Sequence, residues 1–585
     1  VKSPDSPSIR IVLLSLGLAV AATAIHGQAE NRVARRGGPR DWSAGRVIAT
    51  RFGPDLDANV GRNWRTYMKH AQLERSRASR ADRLDWLGVL TSGVMKKPAA
   101  ANGSKLDWNL ATGGYGSVIG SPAKYSFDIT ASNCSDVIYF TVDQTGAATT
   151  VNTIGITNAY AGCAGNAAGT TPTVKFGLAM AYGTATSAVP SLDGTVLYFL
   201  ESRPSANGGA ILHAMNVNNI LLNKGAYNFV TGLWSGARVL AAPTGLASSE
   251  QLFQITYTGV TNNVASPYLD YATNQMFFGD SAGRIHRIIN VDKTTAARDT
   301  THFPVQCGTQ QLQSPVFVNG QVITTSADGK VYRIDMTGPT PPGLYTCVAS
   351  GPGGAGTAGG VGGGLSAPVV DISNSNVIVA SNNADAFGVR GVGFFDVMFA
   401  SGATVVSGID VGAGSTTIAP QTPSFDEAFW STNNGNIYVP GGPAFATGTY
   451  LVRVPYNGTA VSTPTGYATL NRSGGAQTVA TSPVTEFLTA SSLANPDFIF
   501  VGGASGNYRY MNRISSGFGG TDAAPVAMAS SFQPVGGGGV SSGIVIDTRT
   551  TAITGSTATA NIYFGTIGVV TSLTQSRIVQ LAQQF

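Results

Sequence analysis

Charge is scarce in this chain. Only 11% of its 585 residues are Asp, Glu, Lys or Arg, while 43% are hydrophobic. That balance excludes an intrinsically disordered protein, which needs the reverse. Histidine is rarer still: after the first thirty residues there are His70, His213, His286 and His302, and no H-E-x-x-H, which excludes a zincin-type protease. The four cysteines form no C-x-x-C and no C-x-x-C-H, so zinc-ribbon and c-type haem sites are not expected. No apolar run of about 18 residues or more follows the amino terminus, which excludes a polytopic helical membrane protein. Glycine is plentiful instead, at 74 residues. With the many Ser, Thr and Asn it implies short strands joined by turns.

The first residues read as an address. Lys2 and Arg10 precede the apolar stretch Ile11 to Ile25, which ends in the small-residue site Gly27-Gln28-Ala29. This is the pattern of a secretory signal peptide over 1–29, and it predicts export with no transmembrane span after its removal. A basic leader over 30–104 follows, with 12 Arg and 3 Lys against 7 acids between Glu30 and Lys97. Within it, Trp64, Tyr67, Leu73, Leu84, Trp86, Leu87 and Leu90 are spaced for one or two amphipathic helices. The arm is expected to lie outside the body as a solvated leader. Nucleic acid is not an expected partner, because no basic and aromatic stripe continues beyond the arm.

Exported chains oxidise their cysteines. Of three possible connectivities, the default is local pairing, Cys134 with Cys163 and Cys307 with Cys347. Metal ligation is the weaker reading.

The body repeats. A small or hydroxyl residue, often followed by Pro, leads two or three strand residues and then an acid or amide. The unit reads Val189-Pro190-Ser191-Leu192-Asp193, Ser266-Pro267-Tyr268-Leu269-Asp270 and Ser314-Pro315-Val316-Phe317-Val318-Asn319. It continues as Ala367-Pro368-Val369-Val370-Asp371, Thr422-Pro423-Ser424-Phe425-Asp426 and Ser482-Pro483-Val484-Thr485-Glu486. Degenerate copies end at Asp128 and Asp547. A β-branched and aromatic run follows each copy, and twice a tight turn and third strand follow plainly, as in Asp328-Gly329-Lys330-Val331-Tyr332.

Four antiparallel strands per roughly 50–60 residues is the arithmetic of a propeller blade. The expectation is therefore an all-β, eight-bladed β-propeller over 105–585, with a seven-bladed ring as the alternative. The strand-like fragment Leu106–Leu110 is expected to complete the last blade and close the ring. The repeated residues Asp128, Asp193, Asp270, Asn319, Asp371, Asp426, Glu486 and Asp547 are read as turn caps whose side chains accept backbone N–H groups. A ring of carboxylates holding cations along the axis is the sharper alternative.

Other patterns read as structure. G-x-S-x-G occurs at Gly279–Gly283 and Gly539–Gly543, but a strand follows each match, where a nucleophile elbow needs a helix. The Gly351–Gly364 run lacks the Lys-Ser/Thr of a phosphate loop and reads as an inter-blade loop. His213 and His286 sit in third strands and are read as satisfied locally. Trp234, Trp430, Tyr450, Tyr456 and Tyr467 are candidate contacts for a partner.

The units Asp328–Asp335 and Ser366–Asp371 resemble the repeats of quinoprotein-dehydrogenase-like (pyrroloquinoline-quinone-repeat) propellers. The stretch Ser121-Pro122-Ala123-Lys124-Tyr125-Ser126-Phe127-Asp128, with Cys134 soon after, is similar to a group of uncharacterised exported bacterial propellers. The resemblance implies the eight-bladed architecture. It does not carry the cofactor: quinone-dependent alcohol dehydrogenases have an adjacent Cys-Cys pair, absent here, and repeated Trp docking motifs, where the body from Ala111 has only Trp234 and Trp430. No cofactor, metal or catalytic residue is assigned. The expected function is a non-enzymatic binding or scaffold module for a protein or glycan, at the cell surface or outside the cell. The alternative is an exported oxidoreductase, lyase or hydrolase with its site at the channel mouth.

Overall fold

The computed structural model describes residues 38–43, 46–48 and, from 104 to 583, all but 128–132, 161–162, 164–171, 204–208, 219–225, 229–232, 236–237, 241–250, 258–264, 293, 351–363, 381–390, 397–404, 412–420, 442–449, 471–479, 488–497, 506–507, 516–529, 533–541, 548–559 and 567–574. The expected signal peptide, the helices of the arm, nearly all of the Gly351–Gly364 run and Asp128 lie outside the described residues.

The most apolar run of each unit is its second strand. Val137–Thr141, Val196–Glu201 and Asn376–Ala380 are buried along their whole length. A half-solvated strand would alternate. These do not, because each is packed on both faces. Ile138 and Phe140 enter one apolar cluster, while Val137 and Tyr139 enter its neighbour. The core is thus a set of layers between sheets, and each fully buried Val, Ile or Phe contributes about 1.5–3 kcal/mol.

Among the described residues there are eight sheets of four or more strands and one separate hairpin. Each of the eight runs outward from a short inner strand in antiparallel order. The second, for example, runs Val189–Pro190, Val196–Glu201, Ala210–Asn216, Gln251–Tyr257. The fourth runs Val316–Val318, Gln321–Thr325, Val331–Asp335, Cys347–Ser350. The eighth draws on both ends of the body: Val545–Asp547, Ala560–Gly565 and Arg577–Gln583 are followed outward by Ser104–Ala111, with Ala111 opposite Arg577 and Ser104 opposite Gln583. The fold is a β-propeller.

Polar contacts near the start of each inner strand tie the sheets in succession. The Ser121 N–H donates to Ser187 Oγ at 2.7 Å, Ser187 N–H to Ser266 Oγ at 2.9 Å, and Ser266 N–H to Ser314 Oγ at 2.7 Å. Thr325 Oγ1 then donates to Ser366 O at 2.7 Å and Thr422 Oγ1 to Ala367 O at 3.4 Å. Glu486 N–H donates to Ser424 Oγ at 3.2 Å and Thr485 Oγ1 to Ile544 O at 3.4 Å. Val118 N–H donates to Thr566 O at 3.3 Å, joining the eighth sheet to the first. The hydroxyl that opens the sequence repeat therefore serves the neighbouring unit at Ser266 and Ser314, and Ser187, two residues ahead of its unit, does the same.

Two disulfides are present, Cys134–Cys163 and Cys307–Cys347, as the local pairing predicted. The first joins two connections of one sheet. The second ties the residue after Val305–Gln306 of the third sheet to the outer strand of the fourth. Because it links two sheets across 40 residues, replacing Cys307 and Cys347 by Ala is expected to cost about 2–4 kcal/mol. A drop in the urea midpoint at unchanged slope would register this; an unchanged midpoint would show the bridge to be redundant.

Three features depart from the sequence reading. A helix, Glu427–Thr432, occupies the turn after the sixth inner strand, with Asp426 as its N-cap and Asn433 closing it in the left-handed region. An excursion between the third and fourth strands of the second sheet forms the hairpin of Ala226–Asn228 with Leu233–Ser235 and adds Arg238–Leu240 in parallel to the outer strand of the first sheet. From it, Trp234 Nε1 donates to Ala111 O at 2.8 Å, and Ala111 N–H donates to Tyr227 OH at 2.8 Å. A Cβ at Gly177 would stand 2.4 Å from the Trp234 ring, so the indole's position there requires glycine. The third departure is the arm. The reading puts it outside the body, but its residues 38–40 and 47–48 pair with inner strands.

Candidate functional site

In an antiparallel sheet of this kind the inner strand has one paired edge and one edge facing the propeller axis. On the first sheet that edge is taken by Gly38–Arg40, antiparallel to Ala123–Ser126, with Gly38 opposite Ser126 and Arg40 opposite Lys124. On the fifth sheet it is taken by Val47–Ile48, parallel to Val369–Asp371. Between these two strands the chain crosses the third sheet. Trp42 is 7% exposed, donates from Nε1 to Pro267 O at 3.0 Å, and meets the Tyr268 ring edge-on at 6.4 Å.

The turn at Trp42 is fixed locally. Asp41 Oδ1 accepts the Ser43 N–H at 2.9 Å and the Ser43 hydroxyl at 2.6 Å, an Asx-type turn. Tyr271 OH, which donates to Pro190 O at 2.7 Å, lies 3.4 Å from Asp41 Oδ2. Arg46 places its guanidinium 5.6 Å from the Trp42 ring centroid, and its carbonyl accepts the Val370 N–H at 2.7 Å. Its Nη1 is buried with no hydrogen-bond partner, and burial lowers the guanidinium to about 9. Residues 38–43 and 46–48 thus form a strap along the axial edges of the propeller.

The repeated acids lie at the other end of the inner strands, in the turn to the second strand. Asp193 Oδ1 accepts the Thr195 N–H at 3.0 Å and the Ser191 hydroxyl at 2.6 Å. Asp270 accepts the Ala272 N–H at 3.4 Å and also the Thr273 hydroxyl. Asp426 accepts the N–H groups of Phe429 at 3.0 Å and Asn436 at 3.1 Å. Asn319, with φ 50°, and Gly320, with φ 75°, make the two-residue loop between Val318 and Gln321, where both positions need the left-handed region. Asp547 ends its inner strand opposite Asn561.

Glu486 is different. It sits inside the strand Thr485–Phe487 opposite Ile499, not in a turn. The Ser-Pro pair misframes it. Ser482 N–H bonds Gly502 O as Ser366 N–H bonds Ala380 O, whereas Gln313, the residue before Ser314, makes the matching bond to Thr325 O. Among the described residues, no three His, Cys, Asp or Glu side chains come together as metal ligands.

Asp371 spans two units. Its Oδ1 accepts the Ser373 N–H at 3.1 Å, and its Oδ2 accepts Tyr456 OH at 3.0 Å from the next sheet. Burial pushes its carboxyl up to about 6, against the hydrogen bonds from Asn374 and Tyr456. A carboxyl raised in the folded state above its unfolded value favours folding most at low pH, and that contribution fades as pH climbs through about 6. Asp371→Asn is therefore expected to gain on the wild type as pH rises from 4 to 7, by at most about 3 kcal/mol. Paired urea titrations at the two pH values measure it; a wild-type-to-variant difference independent of pH would refute the assignment.

His213 and His286 are equivalent residues of neighbouring sheets. His213 Nε2 lies 2.9 Å from Glu201 Oε2 and stacks on Phe199 at 5.1 Å. His286 Nε2 lies 2.8 Å from Asp280 Oδ2 and stacks on Phe278 at 4.9 Å. Burial lowers the His286 imidazole, only partly opposed by the bond to Asp280. The G-x-S-x-G at 279–283 is the turn that carries Asp280. Both histidines are about 3% exposed, so they act as internal struts.

Of the five aromatic contacts read from the sequence, the side chain of Trp430 lies outside the described residues and the other four do not reach solvent. Trp234, Tyr450, Tyr456 and Tyr467 are all buried in the layers between sheets. They follow or precede Gly and Thr-rich stretches, which reads as loop, but all four lie in strands, with Tyr450 and Tyr456 at the two ends of one. Among the described residues the exposed large apolar side chains are Tyr115, Ile119, Phe127, Leu233 and Leu344. Tyr115 and Ile119 share the connection between the closing strand and the first inner strand.

No family model matches the chain, and no curated protein matches it. Among solved structures it is similar to Sqt1 of Saccharomyces cerevisiae, at 10% identity over 83% of this chain and 100% of that one, with a TM-score of 0.45. Sqt1 of Chaetomium thermophilum gives 13% identity over 82% and 98%, with a TM-score of 0.46. BamB of Moraxella catarrhalis gives 11% over 71% and 86%, with a TM-score of 0.35.

Proposed function

We propose that this chain is an exported β-propeller of eight blades, closed by the 104–111 strand, that acts as a non-enzymatic binding or scaffold module. Its partner is a protein or glycan at the cell surface or outside the cell. The blade count is supported by eight sheets tied in succession, and export by the signal pattern over 1–29 and two disulfides. No helix among the described residues is long and apolar enough to cross a membrane.

One observation carries the choice of a binder over an enzyme. An enzyme on this architecture would use the channel mouth, and here the axial edges of the first and fifth sheets are taken by the chain's own strap. Binding then falls to the connections on a rigid frame. Those bearing Tyr115 and Ile119 offer apolar side chains at 39% and 43% exposure. The resemblance to quinone-repeat propellers enters this reading as architecture alone.

A photo-crosslinking residue placed at Tyr115 in producing cells tests it. A single adduct of defined mass, on protein recovered from the envelope or medium, is the expected result. Protein retained in the cytoplasm, or free of adducts at both Tyr115 and Ile119, would sink the reading.

A further inference from the structure

The strap is built like a ligand. It adds strands to two inner strands, the mode by which extended peptides join open sheet edges. Its aromatic side chain, Trp42, fills a site between Pro267 and Tyr268 with its indole N–H satisfied, as an interface anchor does. Asp41 and Ser43 set the turn from within, so the segment carries its own bound shape.

Fifty-five residues lie between Ile48 and Ser104 in the sequence, and the strap is placed by its strand pairings and by the Trp42 contacts. Against them stands the buried and partly unsatisfied guanidinium of Arg46, a desolvation cost that opposes docking.

We propose that the axial edges of Ala123–Ser126 and Val369–Asp371, with the Pro267–Tyr268 pocket between them, are a peptide-binding site. Its ligand class is an extended peptide with a Trp anchor directly behind an Asp, and its resident ligand is the chain's own strap. The site holds that segment by non-covalent contacts alone and exchanges it. This goes beyond the proposed function and leaves its ground intact, since the axial edges are filled by peptide whether the strap or a competitor occupies them.

The test uses the full chain with one specific protease site inserted between Arg75 and Ser76. After cutting, native size-exclusion at micromolar concentration, with intact mass on each peak, shows whether the two pieces stay together. The expected result is co-elution. Excess synthetic peptide of residues 36–50 then releases the strap piece, while the same peptide carrying Trp42→Ala fails at tenfold higher concentration. Because the variant is in the peptide, the propeller's folding is not at risk. Loss of the strap on cutting alone overturns the proposal. So does equal release by the Trp42→Ala peptide, or retention that no peptide reverses.

Discussion

Leu110→Asp is expected to abolish cooperative folding of the body, with a loss of at least about 4 kcal/mol. Leu110 is fully buried in the layer between the eighth and first sheets, alongside Ile138, Phe140 and Tyr563. A carboxylate there has no cation to meet among that layer's apolar residues. The damage is not confined to one contact. Ser104–Ala111 pairs with Arg577–Gln583, and Trp108 Nε1 donates to Ala159 O of the first sheet at 3.2 Å. Displacing the strand opens an edge of the last sheet and exposes the flank of the first, so two layers lose their cover together. Tyr227 and Trp234, which hold Ala111 from the second sheet's excursion, lose their partner as well. Urea unfolding followed by tryptophan fluorescence and by far-ultraviolet dichroism measures the effect. Coincident transitions at the wild-type midpoint would show that the strand does not close the ring.

Asp280→Ala is expected to cost about 3–5 kcal/mol. Asp280 is fully buried and serves four donors: the N–H groups of Ala282 and Arg284 at 2.8 and 2.9 Å, Arg284 Nε at 2.8 Å, and His286 Nε2 at 2.8 Å. Burial acts to raise its carboxyl, but the bonds from His286 and Arg284 and their charge hold it below the usual range. Its sign is opposite to that of Asp371, so its stabilisation is present above the unfolded value and lost as pH falls through the folded one. Adding His286→Phe to Asp280→Ala should recover part of the loss, because the imidazole is then no longer left unpaired beside Phe278. Urea midpoints of the single and double variants decide. A single variant within about 1 kcal/mol of wild type would show the carboxylate to be dispensable.

Much of this fold is legible because the same physical demand repeats. Runs such as Val137-Ile138-Tyr139-Phe140 mark second strands, since a strand between two sheets needs apolar side chains on both faces. Asn319 is read as a turn residue and lies in one, though its part there is played by the backbone, which with Gly320 takes two successive left-handed positions. The framing at Glu486 fails for a physical reason: Ser serves two adjacent positions in the units. In Ser187, Ser266 and Ser314 it accepts from the neighbouring unit, and in Ser482 and Ser542 it accepts from its own second strand, at Gly502 and Gly565.

The strap is illegible because its partners are remote. Trp42 stands among arginines, which reads as a solvated arm, while the groups that bury it come from Pro267 and Tyr268. Trp234 misleads in the same way. Its short hairpin has no core of its own, and its burial depends on Gly177 and on Ala111 of the closing strand.

Native mass spectrometry of the protein recovered from its producing cells tests the central claim most directly. The account predicts a chain whose mature end lies near Glu30, with both disulfides closed, alone or with a stoichiometric macromolecular partner. Excess mass matching a quinone or a metal ion, retained through gentle activation, would contradict a binding module and return the axis to chemistry.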